Sequence, residues 1–184
     1  LTRGLRGETL TEMLQLSEAG CVGFSHADAH LSDTLVLQRA MQYAATFGYT
    51  LWLRPQDAYM GRGVAASGAL ATRMGLSGVP VAAETIAVHT IVELMRAIPA
   101  SAPGGAAARV HLCRLSSAQG VALVRAAKQA GLPLSCDVSI NSLHLIDHDI
   151  GYFDSRARLN PPLRQQGDRQ ALSAGLADGT IDAL

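Results

Sequence analysis

What most restricts the folding of this chain is a regular alternation between short apolar runs and segments with helical periodicity. Cys21 to Phe24, Tyr49 to Leu53, Val110 to Cys113 and Pro133 to Val138 are apolar runs of strand length. Between them apolar residues recur at three and four positions, as in Leu10, Met13 and Leu14. Val36, Leu37, Ala40, Met41 and Ala44 form a second such stripe, and Val88, Ile91, Val92 and Met95 a third. Stop and start signals fall where the alternation needs them. Gly20, Gly48 and Gly131 follow helical segments as C-caps, while Ser32 or Asp33 and Ser116 or Ser117 precede them as N-caps. Crossovers of helical length join parallel strands. The class is therefore α/β with a parallel sheet, and the pattern leaves closed barrel and open doubly wound sheet as alternatives.

At 184 residues the chain can bury a full core, yet it is shorter than the roughly 250 residues of a complete (β/α)8 barrel. After the turn at Asp178-Gly179, Thr180 to Leu184 reads as a strand cut off at its start, as expected of a piece of something larger. The chain also begins at Leu1, not at methionine. One domain over residues 1–184 is expected, interrupted by a flexible low-complexity insertion over residues 98–108. Lys plus Arg and Asp plus Glu are equal at 15 each, so no net field draws nucleic acid or an anionic membrane. Neither an 18-residue apolar stretch nor a signal-like start is visible. Cys21, Cys113 and Cys136 each lie in an apolar run and read as small buried thiols without disulfides, which suits a reducing cytoplasm.

Short motifs carry little chemistry. His26 and His30 are four apart, as are His144 and His148, a spacing that serves metal binding on helices. Both pairs fall at strand ends or in loops, so they read as exposed loop histidines. Ser116-Ser117 is explained by helix capping. There is no G-x-S-x-G elbow and no Walker loop, and Gly61-Arg62-Gly63 is too short for a dinucleotide fingerprint.

Longer peptides say more. Gly7-Glu8-Thr9-Leu10-Thr11-Glu12-Met13, Ala71-Thr72-Arg73-Met74-Gly75-Leu76-Ser77-Gly78-Val79-Pro80 and His111-Leu112-Cys113-Arg114-Leu115-Ser116-Ser117 follow one another in order. Asn160-Pro161-Pro162-Leu163-Arg164 and Asp178-Gly179-Thr180-Ile181-Asp182-Ala183 complete the set. Together they resemble the dihydroorotases of the amidohydrolase superfamily along nearly the whole chain, the 98–108 insertion excepted. The resemblance implies a partial (β/α)8 TIM-type barrel, roughly strands 4 to 8 with their crossover helices.

It also implies a damaged site. Dihydroorotases carry a metal-serving Asp after the fourth strand, a zinc-binding His at the end of the fifth, and a second zinc His in a sixth-strand His-x-x-His-Val-Ser-Thr. Ala27, Arg54 and Arg114 stand at those positions here. A methyl group and two guanidiniums offer no lone pair to a metal. The arginines are expected to pair with Asp57, Asp137 or another carboxylate and to fill the old metal cavity. Alternatively Arg54 and Arg114, with Asn160 and Arg164, would contact an anionic ligand. The resemblance is greatest to noncatalytic dihydroorotase-like subunits. That implies no metal cofactor and a hetero-oligomeric role in pyrimidine synthesis, as assembly partner of aspartate carbamoyltransferase. The competing expectation is an active zinc-dependent cyclic amidohydrolase, converting carbamoyl aspartate to dihydroorotate. Its unusual ligand set would be drawn from His26, His30, Asp28 or His111.

Overall fold

A computed structural model describes residues 1–98 and 107–184. Four strands, β1 (Phe24–Ser25), β2 (Thr50–Leu53), β5 (Arg109–Leu115) and β6 (Leu134–Val138), form one sheet in the order β1-β2-β5-β6. Every pairing in it is parallel. Ala183 makes a parallel bridge to Asp137, so the chain end extends the same sheet by a fifth position. Helices α2 (Thr34–Phe47), α4 (Ala82–Arg96) and α5 (Ala118–Gln129) form the crossovers, and α7 (Gln166–Ala177) precedes the last bridge. Five consecutive parallel positions with helical crossovers are a barrel segment, as expected.

The caps explain why these helices begin and end where they do. Asp33 Oδ1 accepts from the backbone N–H groups of Leu35 and Val36 at 2.8 and 3.2 Å, opening α2. Gly48 closes it in the left-handed conformation at φ 69°. Ser117 Oγ accepts from Gly120 N at 3.0 Å and opens α5. Each such side-chain cap contributes about 1 kcal/mol.

Strand alternation divides the sheet into two chemically different faces. Leu51, Leu53, Val110, Leu112, Leu134, Cys136 and Val138 are buried with Leu37, Met41, Val88, Ile91 and Val124 in one hydrophobic cluster. Trp52, His111 and Ser135 are paired across β2, β5 and β6 on the other face, where Trp52 is exposed. That second face is polar and semi-open, and it leads to the strand ends where the site lies.

Several local expectations need correction. The strand expected from Cys21 is limited to Phe24–Ser25, and Cys21 and Val22 are exposed. Cys21 N instead bonds Leu16 O at 3.0 Å, closing the end of the preceding helix, α1 (Met13–Glu18). Leu10 lies outside α1, in an antiparallel bridge to Thr2, and Leu14 is exposed. The Gly-rich connection over residues 61–78 contains helix α3 (Ala69–Met74). Its strands β3 (Ala65–Ala66) and β4 (Gly78–Val79) pair as a small parallel sheet. A short helix, α6 (Ile140–His144), follows β6. The interior of the 98–108 insertion lies outside the described residues. Its end residues Ile98 and Ala108 are buried in the core.

Candidate functional site

Strand β5 and its neighbours place the arginines. Between Leu112 and Leu115 the pairing with β6 slips, because β5 spends three steps where β6 spends two. This bulge turns Arg114 into the left-handed region at φ 62°. Its backbone N–H then donates to Asp137 Oδ1 at 2.6 Å. The side chain, no longer bound to simple alternation, crosses to the β1 side.

There it meets Arg54, which leaves the end of β2. Arg54 Nη1 and Arg114 Nη2 both donate to Asp28 Oδ1, at 2.9 and 2.5 Å. Asn160 completes the cluster. Its Oδ1 accepts from Arg54, and its backbone carbonyl accepts from Arg114 Nη1 at 3.1 Å. Gln56 Oε1 accepts from Arg54 as well. The Arg54 side chain is 8% exposed, against 71% for Asp28. Hydrogen bonding from Arg114, and then from Arg54, holds the Asp28 carboxyl below its ordinary range. Ala27 sits in the turn beside this cluster at φ 52°. A cavity of about 120 Å³ is lined by Ala27, Asp28, Arg54, Cys113 and Arg114.

Of the expected carboxylate partners, neither Asp57 nor Asp137 pairs with a guanidinium. Asp57 Oδ1 accepts from the backbone N–H of Tyr59 and Met60 at 2.9 and 2.8 Å. Asp137 accepts the Arg114 main chain and His111. The third carboxylate, Asp28, takes both arginines. Arg164 is also corrected, for it is buried away from this mouth. It donates to Ser116 Oγ at 2.9 Å and to Val79 O at 3.2 Å. Ser116 and Ser117 donate through both backbone and hydroxyl to the Glu84 carboxylate, at 2.5 to 3.0 Å. Glu84 is 3% exposed, and burial pushes its pKa up. This brace locks α4 to the β5–α5 turn. It leaves Asn160 as the member of the expected pair that reaches the arginines.

The histidines divide. His30, His144 and His148 are exposed as expected, whereas His26 is buried and neither ring nitrogen has a partner among the described residues. His26 and His30 line a separate cavity of about 200 Å³ between α2, α4 and the end of β2. Burial lowers the pKa of both. His26, His30, Asp28 and His111 are not brought together as a ligand set. Among the described residues the group of three metal-capable donors is His111, Cys113 and Asp137.

A metal at the three positions implied by the resemblance does not fit these residues. Ala27 has no donor atom, and both guanidiniums face the centre as permanent cations. A divalent ion about 5 Å from one of them would be repelled by about 7 kcal/mol at an effective dielectric constant of about 20. The arrangement can neutralise a carboxylate or hold a small anion.

These features define a class, a parallel α/β barrel segment whose strand-end cluster is built from arginine and aspartate. Likeness to known proteins runs over the whole chain. A dihydroorotase of Geobacter sp. (strain M21) is 39% identical over 185 residues, covering 100% of this chain and 42% of that protein. A dihydroorotase-like protein of Pseudomonas aeruginosa is 36% identical with the same coverage. The chain thus spans about two fifths of the curated relatives it matches. No family profile matches. Among solved structures, an L-hydantoinase (dihydropyrimidinase) from Arthrobacter aurescens superposes with TM-score 0.75 at 19% identity, over 93% of this chain and 39% of the other. A dihydroorotase from Campylobacter jejuni gives 0.63 at 10% identity, over 93% and 44%. The structures establish the barrel fold, and the sequence relatives are named dihydroorotase and dihydroorotase-like protein. No helix among the described residues is long and apolar enough to cross a membrane.

Proposed function

We propose that this chain belongs to a noncatalytic dihydroorotase homologue of de novo pyrimidine biosynthesis, one that works as an assembly partner of aspartate carbamoyltransferase. The observation that carries the reading is the closure of Arg54 and Arg114 on one oxygen of Asp28. In an amidohydrolase a bound metal generates the nucleophile by lowering the pKa of its water. Here the donors that would hold such a metal are replaced by cations already paired with a carboxylate. The resemblance to noncatalytic dihydroorotase-like subunits supports the role of partner, and one relative carries the name dihydroorotase-like protein.

Two assays test it. The purified protein should not interconvert carbamoyl aspartate and dihydroorotate, with or without added zinc. Co-expression with aspartate carbamoyltransferase should give a hetero-oligomer of defined mass. Zinc-restored turnover would reject the noncatalytic reading, and a transferase fully assembled and active in the absence of this protein would reject the partner role.

A further inference from the structure

His111 and Cys113 are alternate residues of β5, and Asp137 is on the adjoining β6. Their donor atoms all lie within 4.8 Å of one another. Ligands on a tetrahedral zinc-class ion sit about 2.0 to 2.3 Å from it, hence roughly 3.3 to 3.7 Å apart. The set needs side-chain shifts of about an ångström to close on an ion.

The surroundings already orient it. His111 Nδ1 and Ser135 Oγ are 2.8 Å apart, so Ser135 fixes one ring nitrogen and leaves Nε2 aimed at Asp137 Oδ2, 2.9 Å away. Asp137 Oδ1 is pinned by the Arg114 N–H. Partners of this kind, bonding the far atoms of imidazole and carboxylate ligands, are what metal centres use to fix ligand orientation. The Arg114 guanidinium is engaged by Asp28 and Asn160. Cys113 also lines the mouth cavity of about 120 Å³, which gives access and room for a water as fourth ligand; the Arg54 and Arg114 charges on that cavity weaken binding, and Asp28 offsets one of them.

We infer that His111, Cys113 and Asp137 form a mononuclear site for a thiophilic divalent cation of the zinc class, tying β5 to β6. One carboxylate and one thiolate balance the ion's charge, and the thiol proton is released to solvent on binding. The site shares no residue with the positions of Ala27, Arg54 and Arg114. It is independent of the proposed role in assembly.

Cobalt(II) titration of the full chain carrying Cys21→Ser, which removes the exposed thiol, provides the test. Two readouts are used, the thiolate-to-cobalt charge-transfer absorption and the fluorescence of Trp52. Trp52 is the sole tryptophan, with its ring 4.9 Å from that of His111. Both signals should saturate at one equivalent and be reversed by competing zinc. Cys113→Ser should abolish the charge-transfer band. Asp137→Asn should weaken binding at least about 10-fold, and His148→Gln should leave it unchanged. No band at a tenfold excess of cobalt overturns the assignment without recourse to any variant. So does a band that survives in folded Cys113→Ser protein. Neither outcome bears on turnover or on the transferase complex.

Discussion

Arg54 and Arg114, at the ends of neighbouring parallel strands, share a single acceptor, Oδ1 of Asp28. Their mutual repulsion is held in check by one exposed carboxylate, with the Asn160 amide and carbonyl oxygens and Gln56 Oε1 accepting further N–H groups. Removing the acceptor and removing a donor should therefore have unequal effects. Asp28→Ala should cost about 1 kcal/mol, because the carboxylate is solvated. Arg54→Ala should cost about 2 to 3 kcal/mol, since a buried stem is lost and Gln56 and Asn160 are left short of a donor. Urea midpoints at constant slope measure the difference.

Acid should loosen the same cluster. The Asp28 pKa is depressed in the folded state, by Arg114 first and then Arg54. A depressed carboxyl contributes stability above its unfolded value of about 3.9, and this is lost as pH falls through the folded value. The melting temperature should fall on acidification below about pH 4, and Asp28→Asn should flatten that limb while leaving neutral-pH behaviour close to Asp28→Ala. An unchanged acid limb in the variant would contradict the pairing. Asp178, held at about 2 by Thr180 and Arg125, adds a second acid-sensitive group that Asp28→Asn leaves in place.

The buried brace should be less forgiving. Glu84→Ala leaves the Ser116 and Ser117 donors without their acceptor and the Arg164 charge without its nearby countercharge, a loss of about 3 kcal/mol or more. Gly120→Ala should be nearly as harmful, because a Cβ there overlaps Glu84 Oε1. Chemical unfolding of both variants checks this.

Thiol reactivity should separate the cysteines. Cys21 is exposed, whereas burial raises the Cys113 thiol to about 11 and the Cys136 thiol to about 12. Brief alkylation of metal-free native protein at pH 8, read by peptide mass spectrometry, should label Cys21 first and Cys136 last.

Much of the fold was legible because its signals are local. Asp33, Gly48, Ser117 and Gly131 act at the helix ends they mark, since capping depends on a few adjacent residues. Cys21 and Val22 misled because an apolar run bracketed by Gly20 and Gly23 can end a helix instead of starting a strand. At the site, the residues at positions 27, 54 and 114 could be read directly, but the partner of the arginines could not. Asp57 is closer in sequence to Arg54 than Asp28 is, yet the turn after β1 carries Asp28 over the strand ends while Asp57 turns back to cap Tyr59 and Met60. The bulge at Cys113-Arg114 adds one residue to a strand and has no signature in apolar periodicity. Glu84 did leave a trace, as a lone acid in register with Val88, Ile91 and Met95 on the buried stripe of α4. A carboxylate there demands donors, and Ser116-Ser117 supplied them.

The positive φ angles of Ala27 and Arg114 carry a last prediction. Left-handed backbone costs a non-glycine residue about 1 kcal/mol. Ala27→Gly should therefore leave stability unchanged or raise it slightly, as read by thermal melting, the greater freedom of glycine when unfolded opposing the relief.

Both residues curl in this way at sites where, by resemblance, relatives hold their ion. The main chain at the strand ends thus follows a route set by these two turns, and the side chains along it gather on Asp28. Placing aspartate at 27 and histidine at 54 and 114 would change the functional groups on that route without rebuilding the strands that present them.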